Sequence, residues 1–518
     1  MTLLRPALFA TILMASATCL VTPVAAQGTS LNIQITTAME QNDYTTVRAL
    51  FADNPAADWT VEIRFQYAQL LLNGQGGPIA TRDGIAQLEA ASTRGHAPAA
   101  VLLARFYLSG PAAGIERDPV KAVELLKSAA VLDHPEGLYY LGLLTRAGTG
   151  TAQDADAGLR LLVRAAEGGF VQAQFELSKI YSTMAPPETE QALRWLMEAA
   201  QGGITEAQFY LANALEKGQG APNDQAKALE WYRRAAEGGM PLAQRILGTK
   251  YLTDTPENAA NPSEALRWLS AAAQAGDPGA MNNLAIAYGG DNGVARDDAL
   301  AMIWFKRASD ADLSRATYSL AQYHESGRGT PIDIKTAALL YRKALEQGDA
   351  RGAVRLGVLT GQGALEGMVP PHFSIPWARA AAETGDEGAL EWLGGQAQDG
   401  MRAAQSAYGI LLLTHEGRAQ EATAMLTLAA EAGGIDAQME LGKAYTTGTG
   451  VALDYEAAHM WLNIAATGGK AEAAANRDLI GNLMTPDQIA AAQAGARTFF
   501  ETASTRLPEA VKNNRTKP

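Results

Sequence analysis

Residues able to do chemistry are few in this chain, and their spacing does not suit it. Six histidines, His96, His134, His324, His372, His415 and His459, are scattered through 518 residues and never form an i, i+4 pair. "HESG" from His324 and "HEGR" from His415 lack the second histidine of a zinc-binding H-E-x-x-H helix. His324 also falls in a slot that elsewhere in the chain holds tyrosine, which gives it a packing role. No G-x-S-x-G elbow and no S-x-x-K pair supplies an activated serine. Runs such as Gly327-Arg328-Gly329-Thr330 look superficially like phosphate loops, but no strand pattern precedes them and no Lys-Ser/Thr follows. These residues place no catalytic site, no metal site and no cofactor.

Charge and cysteine usage narrow the classes further. Lysine and arginine total 42 against 55 acidic residues, a net charge of −13 that repels a phosphate backbone and excludes nucleic acid as partner. The first 26 residues, "MTLLRPALFATILMASATCLVTPVAA", read as an export signal. Arg5 precedes an apolar run, and Val24-Ala25-Ala26 forms a small-residue cleavage site. Cys19, the one cysteine, lies inside that segment, so the mature chain has no thiol for disulfides, metal or nucleophilic chemistry. The expectation is an exported protein, periplasmic or secreted after cleavage near Ala26, with no transmembrane segment in its mature form.

The elements that must position any functional residue are helices in repeat. "ALRWLMEAAQGG", "ALEWYRRAAEGG", "ALRWLSAAAQAG" and "AMIWFKRASDAD" begin at Ala192, Ala228, Ala265 and Ala301. Internal similarity at this period marks an array of stacked helical pairs. The first half of each unit, here the A half, follows A-x-x-x-L-G/A-x-x-Y-x-x-G, as in "AQMELGKAYTTG" from Ala437. Apolar residues at positions 1, 5 and 9 share one helix face. A small residue at position 6, such as Gly142, Gly248 or Gly442, admits a neighbouring helix. G-x-G turns follow, as at Gly148–Gly150 and Gly218–Gly220. In the second, B half, Trp195, Trp231, Trp268, Trp304 and Trp461 are predicted as the large wedges of the core, with alanines around them. Position 1 of successive A halves falls at 63, 99, 137, 173, 207, 243, 280, 316, 352, 389, 404 and 437. The register slips at 389–403, a lone helix without a partner half. The stretch "MVPPHFSIP" (368–376) reads as an inserted turn, either a rigid contact loop or a longer connection.

This pattern resembles the Sel-1-like repeat family, a branch of the tetratricopeptide-like solenoids. The residues carrying the resemblance are the A half above and the D-x-x-x-A-x-x-W-x-x-x-A-A-x-x-G half, matched closely over 450–473. The tail "RDLIGNLMTPDQIAAAQ" from Arg477 looks like the closing segment of many bacterial members. The resemblance implies an all-α fold, a right-handed α-solenoid of paired antiparallel helices, acting as a non-enzymatic adaptor. Its cysteine-rich subgroup has been linked to penicillin binding, and this chain lacks those cysteines. The organisation expected is a signal peptide (1–26), an N-terminal cap (27–62), regular repeats (63–388), the lone helix (389–403), further repeats (404–473), capping helices (474–503) and a disordered tail (504–518).

Position 7 of the A half lies about 200° from position 5 and faces away from the core. It varies from unit to unit, and Arg105, Lys179, Asn213, Thr249, Gln322 and Lys443 are the candidate partner-binding residues, on the concave side of the array. The function expected is a periplasmic scaffold or regulator that binds another protein, an extended peptide or a cell-envelope component along that face. The alternative is a hydrolase or binder acting on the cell wall or a β-lactam.

Overall fold

The structure is a computed structural model that describes residues 26–505 except 56, 111–114, 254–258 and 291. The leader expected over 1–26, with Cys19, and the tail beyond 505 lie outside the described residues, apart from Ala26. The described chain forms two compact units, one up to Gly238 and one from Gly239. The first holds α1 (Ala26–Glu40), α2 (Tyr44–Asp53), α3 (Val61–Asn73), α4 (Thr81–Thr93), α5 (Ala97–Ser109) and α6 (Pro119–Val131). It continues through α7 (Pro135–Ala147), α8 (Ala155–Glu167), α9 (Val171–Thr183), α10 (Thr189–Gln201), α11 (Thr205–Lys217) and α12 (Gln225–Glu237). The second begins with α13 (Pro241–Lys250), α14 (Pro262–Gln274), α15 (Pro278–Gly289), α16 (Asp298–Asp310), α17 (Ser314–Ser326) and α18 (Ile334–Glu346). Then come α19 (Arg351–Gly361), α20 (Pro371–Glu383), α21 (Glu387–Gln398), α22 (Arg402–Leu412) and α23 (Ala419–Glu431). It ends with α24 (Ile435–Thr447), α25 (Tyr455–Thr467), α26 (Ala471–Gly481) and α27 (Pro486–Thr505). The fold is all-α, a solenoid of paired antiparallel helices.

Helix ends are set by short sequence signals. Each A helix α7, α11, α17 and α24 stops at a glycine in the left-handed region, for example Gly148 at φ 68°. The second glycine of that turn, Gly150, also has positive φ, and a Cβ there would meet the Pro119 carbonyl oxygen at 2.2 Å. The B helices α6, α8, α12, α16, α18 and α25 start at an aspartate whose carboxylate accepts a first-turn N–H, as Asp154 does from Ala157 at 2.8 Å and Asp454 from Ala457 at 3.0 Å. Thr485 and Gln488 exchange hydrogen bonds as a capping box ahead of α27. That helix runs to Thr505, past the expected end at 503.

The A and B halves meet through a size match. A Cβ on Gly142 would lie 2.9 Å from Leu162 Cγ, on Gly248 2.8 Å from Leu269 Cγ, and on Gly442 2.7 Å from Leu462 Cγ. Each leucine stands one residue after the Trp slot and is fully buried. Where position 6 is alanine in Ala212, Ala285 and Ala321, the facing B slot holds a flat ring, Tyr232, Phe305 or Tyr341. This corrects the assignment of tryptophan as the core wedge at Trp231 and Trp304. Trp231 and Trp304 are only half-buried, while Tyr232 is 0% exposed. Trp195, Trp268 and Trp461 are buried. The Trp slot lies about 100° from the residue after it, so at Trp231 and Trp304 the ring covers the edge of the pair. There an arginine often lies over it, Arg234 at 4.5 Å from the Trp231 centroid and Arg307 at 4.6 Å from that of Trp304.

A second recurrent contact joins one repeat to the next. The glutamine at position 2 donates to the last-turn carbonyl of the preceding helix: Gln174 to Ala166 at 3.2 Å, Gln208 to Ala200 at 3.2 Å, and Gln438 to Ala430 at 3.0 Å. It adds a second hydrogen bond to a carbonyl that already accepts from the glycine N–H closing its own helix, as Ala166 does from Gly169 at 3.0 Å.

The lone-helix stretch needs two corrections. Gly400, at φ 87°, divides it, so that residues 402–403 already belong to α22. Nor is α21 simply an A half without a partner. Its start is A-like, with Asp386 capping Ala389 N at 2.7 Å. Its body, "ALEWLGGQAQDGM", also matches the B half "ALEWYRRAAEGGM". Toward α22 it behaves as a B helix, because Gln405 donates to the Ala397 carbonyl at 3.1 Å. "MVPPHFSIP" is not an inserted loop either. Pro371 opens α20 at its first turn, where a missing N–H costs nothing, and Pro376 lies inside that helix.

Two outcomes follow. Tyr232→Ala should lose about 3–5 kcal/mol in urea unfolding, as a fully buried aromatic. Trp231→Ala should lose no more than about 2 kcal/mol, as partial burial plus a cation–π contact, and a larger loss from Trp231 would restore the tryptophan as wedge. The second concerns pH. Hydrogen bonds from the Thr336 hydroxyl and backbone N–H hold the Asp333 carboxyl below its usual range. A carboxylate whose folded pKa is depressed contributes in full above its unfolded value and loses that contribution as pH falls through the folded one. Stability of wild type relative to Asp333→Asn should therefore decline on acidification from about pH 5 to about pH 2. A difference that stays constant over that window would contradict the cap.

Candidate partner-binding surface

The A helices bury positions 1, 5 and 6 and present position 7. In α9, Ala173, Leu177 and Ser178 are buried while Lys179 is exposed. Arg105, Thr249 and Gln322 are likewise exposed, whereas Asn213 and Lys443 are half-buried. The six residues occur one to a repeat, so the structure spaces them along successive A helices rather than gathering them into one site.

Most are tied to their neighbours. Arg105 Nη1 donates to Glu136 Oε1 of the next A helix at 3.4 Å, and its guanidinium lies 5.9 Å from the Tyr140 ring centroid. Lys179 pairs with Glu176 one turn away and sits 5.0 Å from the centre of Phe175. Thr249 Oγ1 accepts from Asn283 Nδ2 of the following A helix at 2.9 Å. Lys443 bridges Glu440 at 3.0 Å and Glu472 at 2.6 Å. Partial burial opposes its charge, but the two glutamates outweigh that and raise its pKa. It lines a shallow hollow of about 220 Å³ with Leu413 and Thr447. At Arg105, Thr249 and Lys443, position 7 is thus tied to the next repeat by an ion pair or a hydrogen bond.

The position-7 comparison missed the aromatic residues at positions 3 and 4. In the first unit Tyr139 meets Phe170 at 5.1 Å and Tyr140 at 5.2 Å, and Phe175 stacks on Tyr210 at 6.2 Å. Tyr210 is 52% exposed. Burial, then the charge of Glu176, pushes the Tyr139 phenol up to about 12, so it stays a neutral hydrogen-bond donor across the physiological range. These rings and the cations Arg105 and Lys179 form a strip over α5, α7, α9 and α11. The signal was present in "GLYYLG", "AQFELS" and "AQFYLA", where ring residues replace polar ones just before the buried leucine.

The histidines take structural parts. His96 Nδ1 accepts from Ala99 N at 3.2 Å and His134 Nδ1 from Gly137 N at 3.3 Å, capping α5 and α7. Burial lowers the His134 pKa and keeps that nitrogen an acceptor. His459 is buried in α25, and His372 lies against Phe373 at 4.2 Å. His324 is half-buried in α17, and His415 Nδ1 donates to the Leu411 carbonyl at 2.9 Å. Among the described residues no three His, Cys, Asp or Glu side chains converge on a point. No helix among them is long and apolar enough to cross a membrane.

The model of the Sel1 repeat matches residues 97–134, 135–170, 171–204, 205–240, 241–277, 278–313, 314–349 and 435–470. The chain belongs to the Sel1 repeat family. The matched stretches leave out 350–434, where α21 breaks the pairing of its Sel1 repeats. Among curated proteins, the Chitin synthase regulator SKT5 of Saccharomyces cerevisiae is 27% identical over 297 residues, which cover 55% of this chain and 37% of that one. The Chitin synthase regulatory factor 3 of Schizosaccharomyces pombe is 26% identical over 274 residues, 51% of this chain and 29% of that one. The chain thus spans about a third of the length of these relatives. Among solved structures, a protective antigen of uropathogenic Escherichia coli displaying an SLR fold aligns at TM-score 0.58 and 24% identity, over 90% of this chain and 97% of that one. That likeness is one of fold. A Sel1 repeat scaffold of this kind is suited to protein–protein interaction.

Lys179→Ala should leave stability within about 0.5 kcal/mol of wild type, as an exposed change losing one surface ion pair. Chemical denaturation measures it, and a loss as large as that of Tyr232→Ala would contradict the face assignment.

Proposed function

We propose that this chain is a non-enzymatic scaffold or regulator, exported to the periplasm, that binds an extended protein segment along the exposed side of its A helices. The observation that carries the reading is the strip of Tyr139, Tyr140, Phe175 and Tyr210 flanked by Arg105 and Lys179. Tyrosine and arginine dominate binding energy at protein interfaces, because they offer large, stiff contact area with a polar end. Mounted on packed helices, they lose little conformational freedom on binding. Regulator names among the fungal relatives agree with a role exerted through other proteins. The leader-like first 26 residues support export.

The test is a crosslinking pull-down from periplasmic extract with residues 27–518, read by mass spectrometry. A protein recovered with wild type should be depleted about tenfold or more by Tyr210→Ala combined with Arg105→Ala, the effect of losing interface anchors worth 1.4 kcal/mol or more. Recovery of wall fragments alone, or a partner indifferent to both changes, would overturn the reading. Fractionation of cells expressing the full chain checks export, for which a cytoplasmic, uncleaved protein is the contrary result.

A further inference from the structure

The half-repeat α21 has a geometric consequence. A and B helices alternate through the regular repeats, but α21 serves as A half at its start and as B half toward α22. One helix is therefore missing from the alternation, and α20 packs directly on α22. Between them, closed at one end by the turn into α24, lies a groove of about 300 Å³. Pro376, Ala403 and Ile435 form its apolar lining, and Arg379, Arg402 and Asp436 its charged lining.

The charges are unequally satisfied. Arg379 Nε donates to Glu383 Oε1 at 2.8 Å, and Asp436 is paired with Lys470 at 2.5 Å. Arg402 meets no carboxylate among the described residues. Its Nη1 donates to the neutral Ala432 carbonyl at 2.9 Å, which leaves most of its five N–H donors and its whole charge available. Arg402 is exposed, and its charge stands beside the apolar lining of the groove.

We infer that this groove is a docking slot for an acidic, aliphatic peptide segment of a partner protein, whose side-chain carboxylate pairs with Arg402 and whose neighbouring aliphatic residue packs on Pro376, Ala403 and Ile435. Charge complementarity selects this occupant. An arginine holds a carboxylate through two parallel N–H···O bonds, and those bonds strengthen against a partly dry wall. The slot lies in the second unit and stands independently of the tyrosine strip.

The probe is the fluorescein-labelled peptide Gly-Ala-Leu-Glu-Leu-Ala-Gly with an amidated C-terminus, titrated by fluorescence anisotropy against the chain 27–518. The same peptide with Gln for Glu, and the Gln peptide with a free C-terminal carboxylate, are the other arms. The Glu peptide should bind, and the Gln amide about tenfold more weakly, as for loss of one charge-assisted pair. Arg402→Ala should weaken the Glu peptide similarly, and Arg402→Lys less. Ala403→Trp, on an exposed site, should fill the groove and abolish binding while helix content and melting stay unchanged. Absence of binding by the Glu peptide, equal binding of Glu and Gln amides, or indifference to Arg402→Ala and Ala403→Trp would overturn the inference. Tighter binding of the free-carboxylate Gln peptide than of the Glu amide would overturn it in favour of chain termini. None of these results bears on the periplasmic partner of the tyrosine strip.

Discussion

The structure depends on one contact, the near approach of an A-helix backbone to a B-helix side chain at position 6. Where glycine stands there, a leucine fills the space of the missing side chain, as Leu162, Leu269 and Leu462 do. Glycine inside a helix costs roughly 1 kcal/mol in propensity. It persists because restoring a Cβ would place it under 3 Å from the leucine Cγ, and overpacking of that kind costs about 1–3 kcal/mol. The alanine-with-ring pairs solve the same spacing problem with different shapes. Once the hairpin spacing is set, the glutamine hydrogen bond to the preceding helix transmits register to the next unit. A long chain is thereby held together by contacts that are nearly all local.

The same spacing rule explains the phase break. Gly394 would bring a Cβ to 2.9 Å from the ring of Tyr408, a residue of the next A helix rather than of a B helix. The contact normally made within a hairpin is thus made between hairpins, and α21 closes on both neighbours with one helix where two would stand. The price is a groove beside it that regular pairing would fill.

The function argued for this protein is one of surface rather than of site. Histidines that might have been ligands cap helices or pack, and the phenols and carboxylates that meet do so as structural pairs, such as Tyr232 with Glu216 at 2.8 Å and Tyr341 with Glu325 at 2.6 Å. A scaffold gains affinity from several anchors mounted in fixed relation, which is what successive A helices provide.

The period, the paired helices, the glycine turns and the buried positions 1, 5 and 6 were legible in the residues alone, because a repeat shows the same steric demand many times over. Exposure at position 7 was legible for Arg105 and Lys179 from helical angle. Three things were decided only by the fold. Which of two adjacent residues, Trp231 or Tyr232, enters the core depends on the crossing of the two helices, which spacing along one helix does not contain. The double character of α21 depends on which neighbours its two faces meet, so "ALEW" could not by itself say whether it starts an A or a B half. The strip of tyrosines and the uncompensated charge of Arg402 arise across repeats, between residues some thirty positions or more apart. Periodicity fixes what each helix presents, and packing determines which of those presentations meet.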